Sequence, residues 1–258
     1  MADSHAWVGY LLEKTGDLAG ALAEHRRYQE LMRALAAEHP EVPDYRRFLA
    51  TTHTQVGNLL ERACSLLGTL AQAAPNVPDY RNRLTSALNG AGDALRDLGR
   101  AGEARDRHER AVSLAEALAS AYPKVPGYRA RLADSLRRLA RLELDAGDAA
   151  GADAGARRAI ALFEGLPARD GREWFWLACA QATLAAAAGR DGAGPSAAEA
   201  PGLADRAMND LRSAAAAGYR NLAVYRYEPS LGPLRGRDDF QLLLMDLAMP
   251  ADPFARAR

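Results

Sequence analysis

The chain has 258 residues, enough for one large domain or two ordinary ones, and 48% of them are hydrophobic, much of that alanine. Its 33 basic residues balance 33 acidic ones, so no net field draws the chain to nucleic acid or anionic lipid. Aromatic content is only 7% and β-branched residues are sparse, which favours helices over strands and predicts an all-α fold.

Cys64 and Cys179 stand 115 positions apart, each without a neighbouring cysteine. That is too few ligands for a disulfide framework or a zinc set, so both are read as packing residues. The opening MADSHAWVGYLLEKTGD has no basic n-region before an apolar run, the mark of a signal peptide. No stretch approaches the roughly 18 or more apolar residues of a membrane span. The expectation is a soluble cytoplasmic chain that binds no cofactor, metal, membrane or nucleic acid.

In chain order, MADSHAWVGYLLEKTGDLAGA aligns without gaps to LADSLRRLARLELDAGDAAGA from Leu132, so Met1 falls inside a first helix. Either the chain starts mid-repeat or a longer natural protein continues upstream. A shortened first helix would expose an apolar edge at Trp7, Val8 and Leu11, through which a homodimer could form.

The phrase PEVPDYRRFLA, from Pro40, returns as PNVPDYRNRLT from Pro75 and as PKVPGYRARLA from Pro123, at intervals of 35 and 48 residues. Proline suits the first turn of a helix, where its missing N–H had no partner. The valine before it is pushed to an extended conformation, so the phrase makes a corner between helices. The repeat that begins at Tyr45 should reach a turn glycine at position 64, where Cys64 stands, and its counterpart of Arg100 to Val112 is missing. Instead Leu49, His53, Val56, Leu60, Ala63, Leu67, Leu70 and Ala74 alternate steps of 4 and 3 with no proline between them. This predicts one continuous helix over about 44–73, roughly 45 Å long. A short hairpin at Ala63–Ser65 is the alternative.

The intact unit runs from Pro75 to Tyr122, 48 residues. Leu84, Leu88, Ala91 and Leu95 make one helix face, Gly99 and Arg100 a turn, and Ala104, His108, Ala111, Leu114 and Leu118 a second face. Past Leu166 the pattern weakens. Helices are predicted over Trp174–Ala188 and Leu203–Ala217, the second ended by Gly218, with the Gly/Pro-rich GRDGAGPSAAEAPG between them. A last helix, Asp238–Ala248, carries Phe240, Leu243, Leu244 and Leu247 and would close the exposed end. The expected division is a repeat array over 1–188, a flexible linker over 189–202, and a degenerate last repeat with its cap over 203–258.

Leu88, Ala91, Gly92, Leu95, Gly99, Ala104, His108 and Ala111 fall at the spacing of the tetratricopeptide repeat (TPR), which the chain resembles. The small residue recurs as Gly9, Gly57, Gly92 and Ala140, where two helices are expected to approach closely. The usual repeat has about 34 residues. The extra length splits as about seven residues on each helix, close to two turns, which keeps the apolar stripe on one face. More narrowly, P-x-V-P-x-Y-R-x-x-L resembles the long-period repeats found behind serine/threonine kinase domains in planctomycete bacteria. The resemblance covers essentially the whole chain. It implies an α-solenoid of extended antiparallel helix pairs.

Catalytic motifs are missing from the sequence: no H-E-x-x-H, G-x-S-x-G or G-x-x-x-x-G-K-[ST] occurs. His5 and His53 share one repeat position, His25 and His108 another, and leucine or alanine fills the same places elsewhere, so these histidines read as packing. Tyr45–Arg46, Tyr80–Arg81 and Tyr128–Arg129 recur; each tyrosine is expected to pack over the preceding connector, with the arginine solvated or paired locally. The resemblance implies a groove lined by the first helix of each pair, where Gln55, Asn58, Arg83, Asn89, Asp93, Arg138 and Arg141 are candidate partner-binding residues on an exposed face. The favoured reading is a non-catalytic scaffold for a protein or peptide, in the C-terminal region of a larger signalling kinase. The alternative is a free-standing enzyme or small-ligand protein with a pocket walled by Trp174, Trp176 and Tyr225.

Overall fold

A computed structural model describes residues 2–190 and 195–249. The chain divides into two compact units, Met1–Pro123 and Lys124–Arg258. Among the described residues every regular element is helical, and no helix is long and apolar enough to cross a membrane.

The first unit holds α1 (Ala2–Thr15), α2 (Leu18–Glu38), α3 (Pro43–Ala73), α4 (Pro78–Asp97) and α5 (Ala101–Ala121). Each packs against the next in series. Two corner types alternate. In the valine-proline corners, Val42 and Val77 hold nearly identical extended backbones (φ −99°, ψ 100° and φ −100°, ψ 94°), and proline opens the helix that follows. In the other type Gly99 adopts φ 77°. There the Arg100 N–H donates to Leu95 O and the Gly99 N–H to Arg96 O, which satisfies carbonyls the helix end would orphan. Gly16 closes α1 in the same way.

Cys64 stands where that glycine should be, and α3 runs through it without a break. A left-handed cysteine would cost about 1–2 kcal/mol, while continuing the helix costs nothing comparable. The continuous helix is therefore the outcome, at 31 residues, and the hairpin at Ala63–Ser65 does not form. Burial along it is uneven. His53, Val56, Leu60 and Cys64 are buried, whereas Leu66 and Leu70 beyond them are 57% and 43% exposed.

The second unit holds α6 (Pro126–Asp145), α7 (Ala149–Glu164), α8 (Gly171–Ala187), α9 (Ala200–Ala216), α10 (Leu222–Tyr227) and α11 (Asp238–Ala248). Val125 repeats the extended corner (φ −102°, ψ 99°), and Gly147 and Gly218 take positive φ at the ends of α6 and α9. Helix α8 packs against α6, α7 and α9. Its alanine-rich sequence lets neighbours approach from several sides, and Asp170 and Glu173 form a reciprocal capping box at its start. Between α8 and α9 the Gly189 N–H donates to Pro195 O, and a 3-10 turn, Ala197–Glu199, leads into α9. Residues 191–194 of the expected linker, and 250–258 of the expected cap, lie outside the described residues.

The end of this unit is anchored by Tyr225, which is fully buried. Its hydroxyl donates to Tyr219 O at 2.8 Å, with Leu211 O at 3.3 Å, and its ring stands 5.0 Å from that of Phe175. Helix α10 and a 3-10 segment, Pro229–Leu234, were not anticipated; Asn221 caps α10 by accepting from the Ala223 and Val224 N–H groups. Helix α11 buries Phe240, Leu243, Leu244 and Leu247 as the sequence predicted.

Candidate partner-binding groove

In the first unit, α3 and α5 flank α4 and leave a groove between them. Two half-open cavities of about 290 and 270 Å³ lie along it. Its floor includes Gly57, Ala91 and Ala94 at one end and Cys64 and Leu88 at the other. Arg107 of α5 reaches across to Glu61 of α3 with two hydrogen bonds, Nε to Oε1 at 2.8 Å and Nη2 to Oε2 at 3.2 Å. Both residues line both cavities, so the bridge divides the groove. Hydrogen bonding to Glu61 holds the Arg107 pKa above its ordinary value. Arg100 makes a similar fork on Glu103, at 2.7 and 2.6 Å. Half-exposed pairs of this kind contribute little to stability and are open to exchange with a partner's charges.

The candidate residues read from the sequence scatter. Asn58 is exposed and lines the groove. Arg83 is exposed at the start of α4, where its Nε donates to Asp79 at 2.6 Å. Gln55 is half-buried on α3. Asn89 is a correction: it is 2% exposed, with its Oδ1 3.4 Å from His108 Nδ1. Asp93 is half-buried beside the same histidine, 3.7 Å from Nε2. Asn89 and Asp93 thus come together as the polar lining of a buried ring.

In the second unit Arg138 and Arg141 are half-buried. Arg138 donates to Asp134 at 3.2 Å, and Arg137 also donates to it at 2.7 Å. Asp134 is 1% exposed. Desolvation works against the charge of Arg137, but the buried carboxylate beside it prevails and raises the guanidinium pKa. Arg138 therefore neutralises a buried acid. Arg141 pairs with Asp145 one helical turn on.

Several further reactive side chains are engaged in packing. Burial pushes the Cys64 thiol up to about 11 and the Cys179 thiol well above its ordinary value, so neither is a thiolate near neutrality. His25 is buried against Gly9, and burial lowers its pKa. His53 is likewise lowered by burial, with Asp97 opposing the shift, and it contacts Gln29 at 2.8 Å. Among the described residues no three His, Cys, Asp or Glu side chains gather as a metal site would require. Trp174 is stacked under Arg169, 4.0 Å from the ring centroid, and Trp176 packs on Phe163 and under Arg137. Tyr225 is buried as well, while Trp174 and Trp176 are half-buried. Tyr45 stands 6.0 Å from the ring of His39 in its connector, and Arg81 donates to Pro75 O, as local packing of the Tyr-Arg pairs predicted.

No family model and no curated protein matches the chain. Among solved structures it is similar to a thermophilic TPR protein of Thermus thermophilus, over 90% of this chain and 99% of that one. The identity is 19% and the TM-score 0.41, values at which the likeness carries no argument about function.

Sequence reasoning missed the charged residues of the groove, Glu61, Arg100, Glu103, Arg107 and Arg110. The available signal was the 13-residue gap between the repeats, which removes half a helix from beside α3 and α4.

Proposed function

We propose that the chain is a non-catalytic scaffold that binds a protein or peptide along its helix faces. The observation that carries this reading is the groove over α4: open, walled by three helices, and lined by polar groups whose existing pairs are half-exposed. The engagement of His25, His53, His108, both cysteines, Trp174 and Trp176 in packing supports it further. Residues 1–188 are the repeat array in this reading, and 203–258 hold the last repeat and cap. Its sequence resemblance supports a place behind a kinase domain in a larger signalling protein.

The test is a peptide array followed by solution titration of the strongest binders, with Arg83→Glu and Arg138→Glu as variants. Arg83→Glu should weaken an acidic binder several-fold, because Arg83 is exposed and its loss disturbs no core. Arg138→Glu should instead unfold part of the second unit, because it sets a second carboxylate against buried Asp134. Absence of any saturable binder across the array would overturn the reading.

A further inference from the structure

Gly57 holds in α3 the register that Gly9 holds in α1 and Gly92 in α4. In those two helices a histidine 16 positions later explains the glycine. A Cβ on Gly9 would stand 2.9 Å from His25 Cε1, and one on Gly92 would stand 2.6 Å from His108 Cε1. No side chain fits there, so the second helix of each pair crosses the first at a glycine. Sixteen positions after Gly57 is Ala73, the last residue of α3 itself. No second helix of this repeat doubles back, and α4 is the next to pack on α3. A Cβ on Gly57 would meet only Ala94 Cβ, at an ordinary 3.5 Å. A glycine inside a helix costs about 1 kcal/mol against alanine, and within this unit nothing requires one at Gly57.

Gly57 lies in the floor of the groove. A second helix packs on its own first helix and on the next first helix, as α2 does on α1 and α3. In the α3 repeat that second helix is absent and α4 packs directly on α3, so what stays open beside them is the groove over α4. Three guanidiniums, Arg100, Arg107 and Arg110, face that space against two carboxylates, Glu61 and Glu103.

We propose that this groove takes an α-helix from a partner protein, which displaces the Glu61–Arg107 bridge and stands in for the half-helix the chain lacks. The occupant is about 13 residues or about 20 Å long. It sets a histidine or smaller residue over Gly57 and acidic residues toward Arg107 and Arg110. This rests on the scaffold reading and names the partner's chemistry.

The chain supplies its own probe. A labelled, stapled peptide copying residues 100–112, which carries the equivalent of His108, is titrated into the full chain, alongside its His108→Ala version. Both should bind the wild type. Gly57→Ala should weaken the histidine peptide by about tenfold or more, since the Cβ and the imidazole compete for one place. The same variant should leave the alanine peptide within about threefold, since Ala140 and Ala156 fill the equivalent places in α6 and α7. Gly57→Ala should itself fold normally.

The proposal is overturned if neither peptide saturates by about 1 mM, if Gly57→Ala binds the histidine peptide as the wild type does, or if sedimentation shows a second copy of this chain in the groove. A partner from the array that is sensitive to Arg83→Glu but still binds Gly57→Leu would remove this site and leave the scaffold standing.

Discussion

Helix pairs α4–α5 and α6–α7 make the same crossing with exchanged side-chain volumes. In the first, Gly92 receives the fully buried ring of His108. In the second, Ala140 and Ala156 are both fully buried in one cluster, and an added Cβ on Gly155 would already stand 3.0 Å from Ala140 Cβ. A methyl gained on one helix is offset by a ring lost from the other. The repeat therefore constrains the sum of two side chains at this point, and either residue alone is a poor guide. Helix α3 is the third case, where the partner is missing and the glycine has nothing to receive.

The comparison breaks most sharply at Gly92. Gly92→Ala forces its methyl against a ring enclosed on all sides and should cost about 1–3 kcal/mol, read by denaturant unfolding. Adding His108→Ala should recover most of that loss, because it rebuilds the α6–α7 solution. If the double variant is no better than the single, the crossing is not set by summed volume.

Acid sharpens the contrast between the units. Burial lowers the pKa of His25, against the pull of Glu13, and that of His53, against Asp97. Each then binds fewer protons folded than unfolded below about 6.5. Their contribution is fully present above that value and is lost as pH falls below it toward the folded pKa. The first unit should therefore lose stability as pH falls below about 6.5, and His25→Leu should flatten part of that slope in pH-dependent melting.

The smallest effects lie in α3. Gly57→Ala and Gly68→Ala each place a methyl where no neighbour is pinched, and each should stabilise the chain by up to about 1 kcal/mol. A loss at Gly57 in the isolated protein would mean that something within the chain already occupies its socket.

The long helix was legible because one residue type decides it: cysteine at 64 cannot take the turn that glycine takes at 99. The valine-proline corners were legible for the same reason. Asn89 was misread because a polar residue beside an apolar stripe was assigned to solvent. Helix α4 is packed by both α3 and α5, so its buried arc extends past the stripe, and a histidine supplies the polar partner. Helix α10 spans six residues, too few for a period to show. The groove's charges were invisible because Glu61 and Arg107 meet only when a segment that should separate them is gone.

Continuity in α3 also bears on how the first unit comes apart. An array of helix pairs can fray one repeat at a time, because each corner is a place where order may end. Helix α3 carries the first half of one repeat and the remnant of its second half on a single hydrogen-bonded rod, and α2 and α4 both pack against it. Removing Gly99's equivalent at position 64 thus erased a fracture line. Amides near Leu60 and Leu70, on the two sides of position 64 that an ordinary array would release separately, should exchange with solvent in one concerted opening.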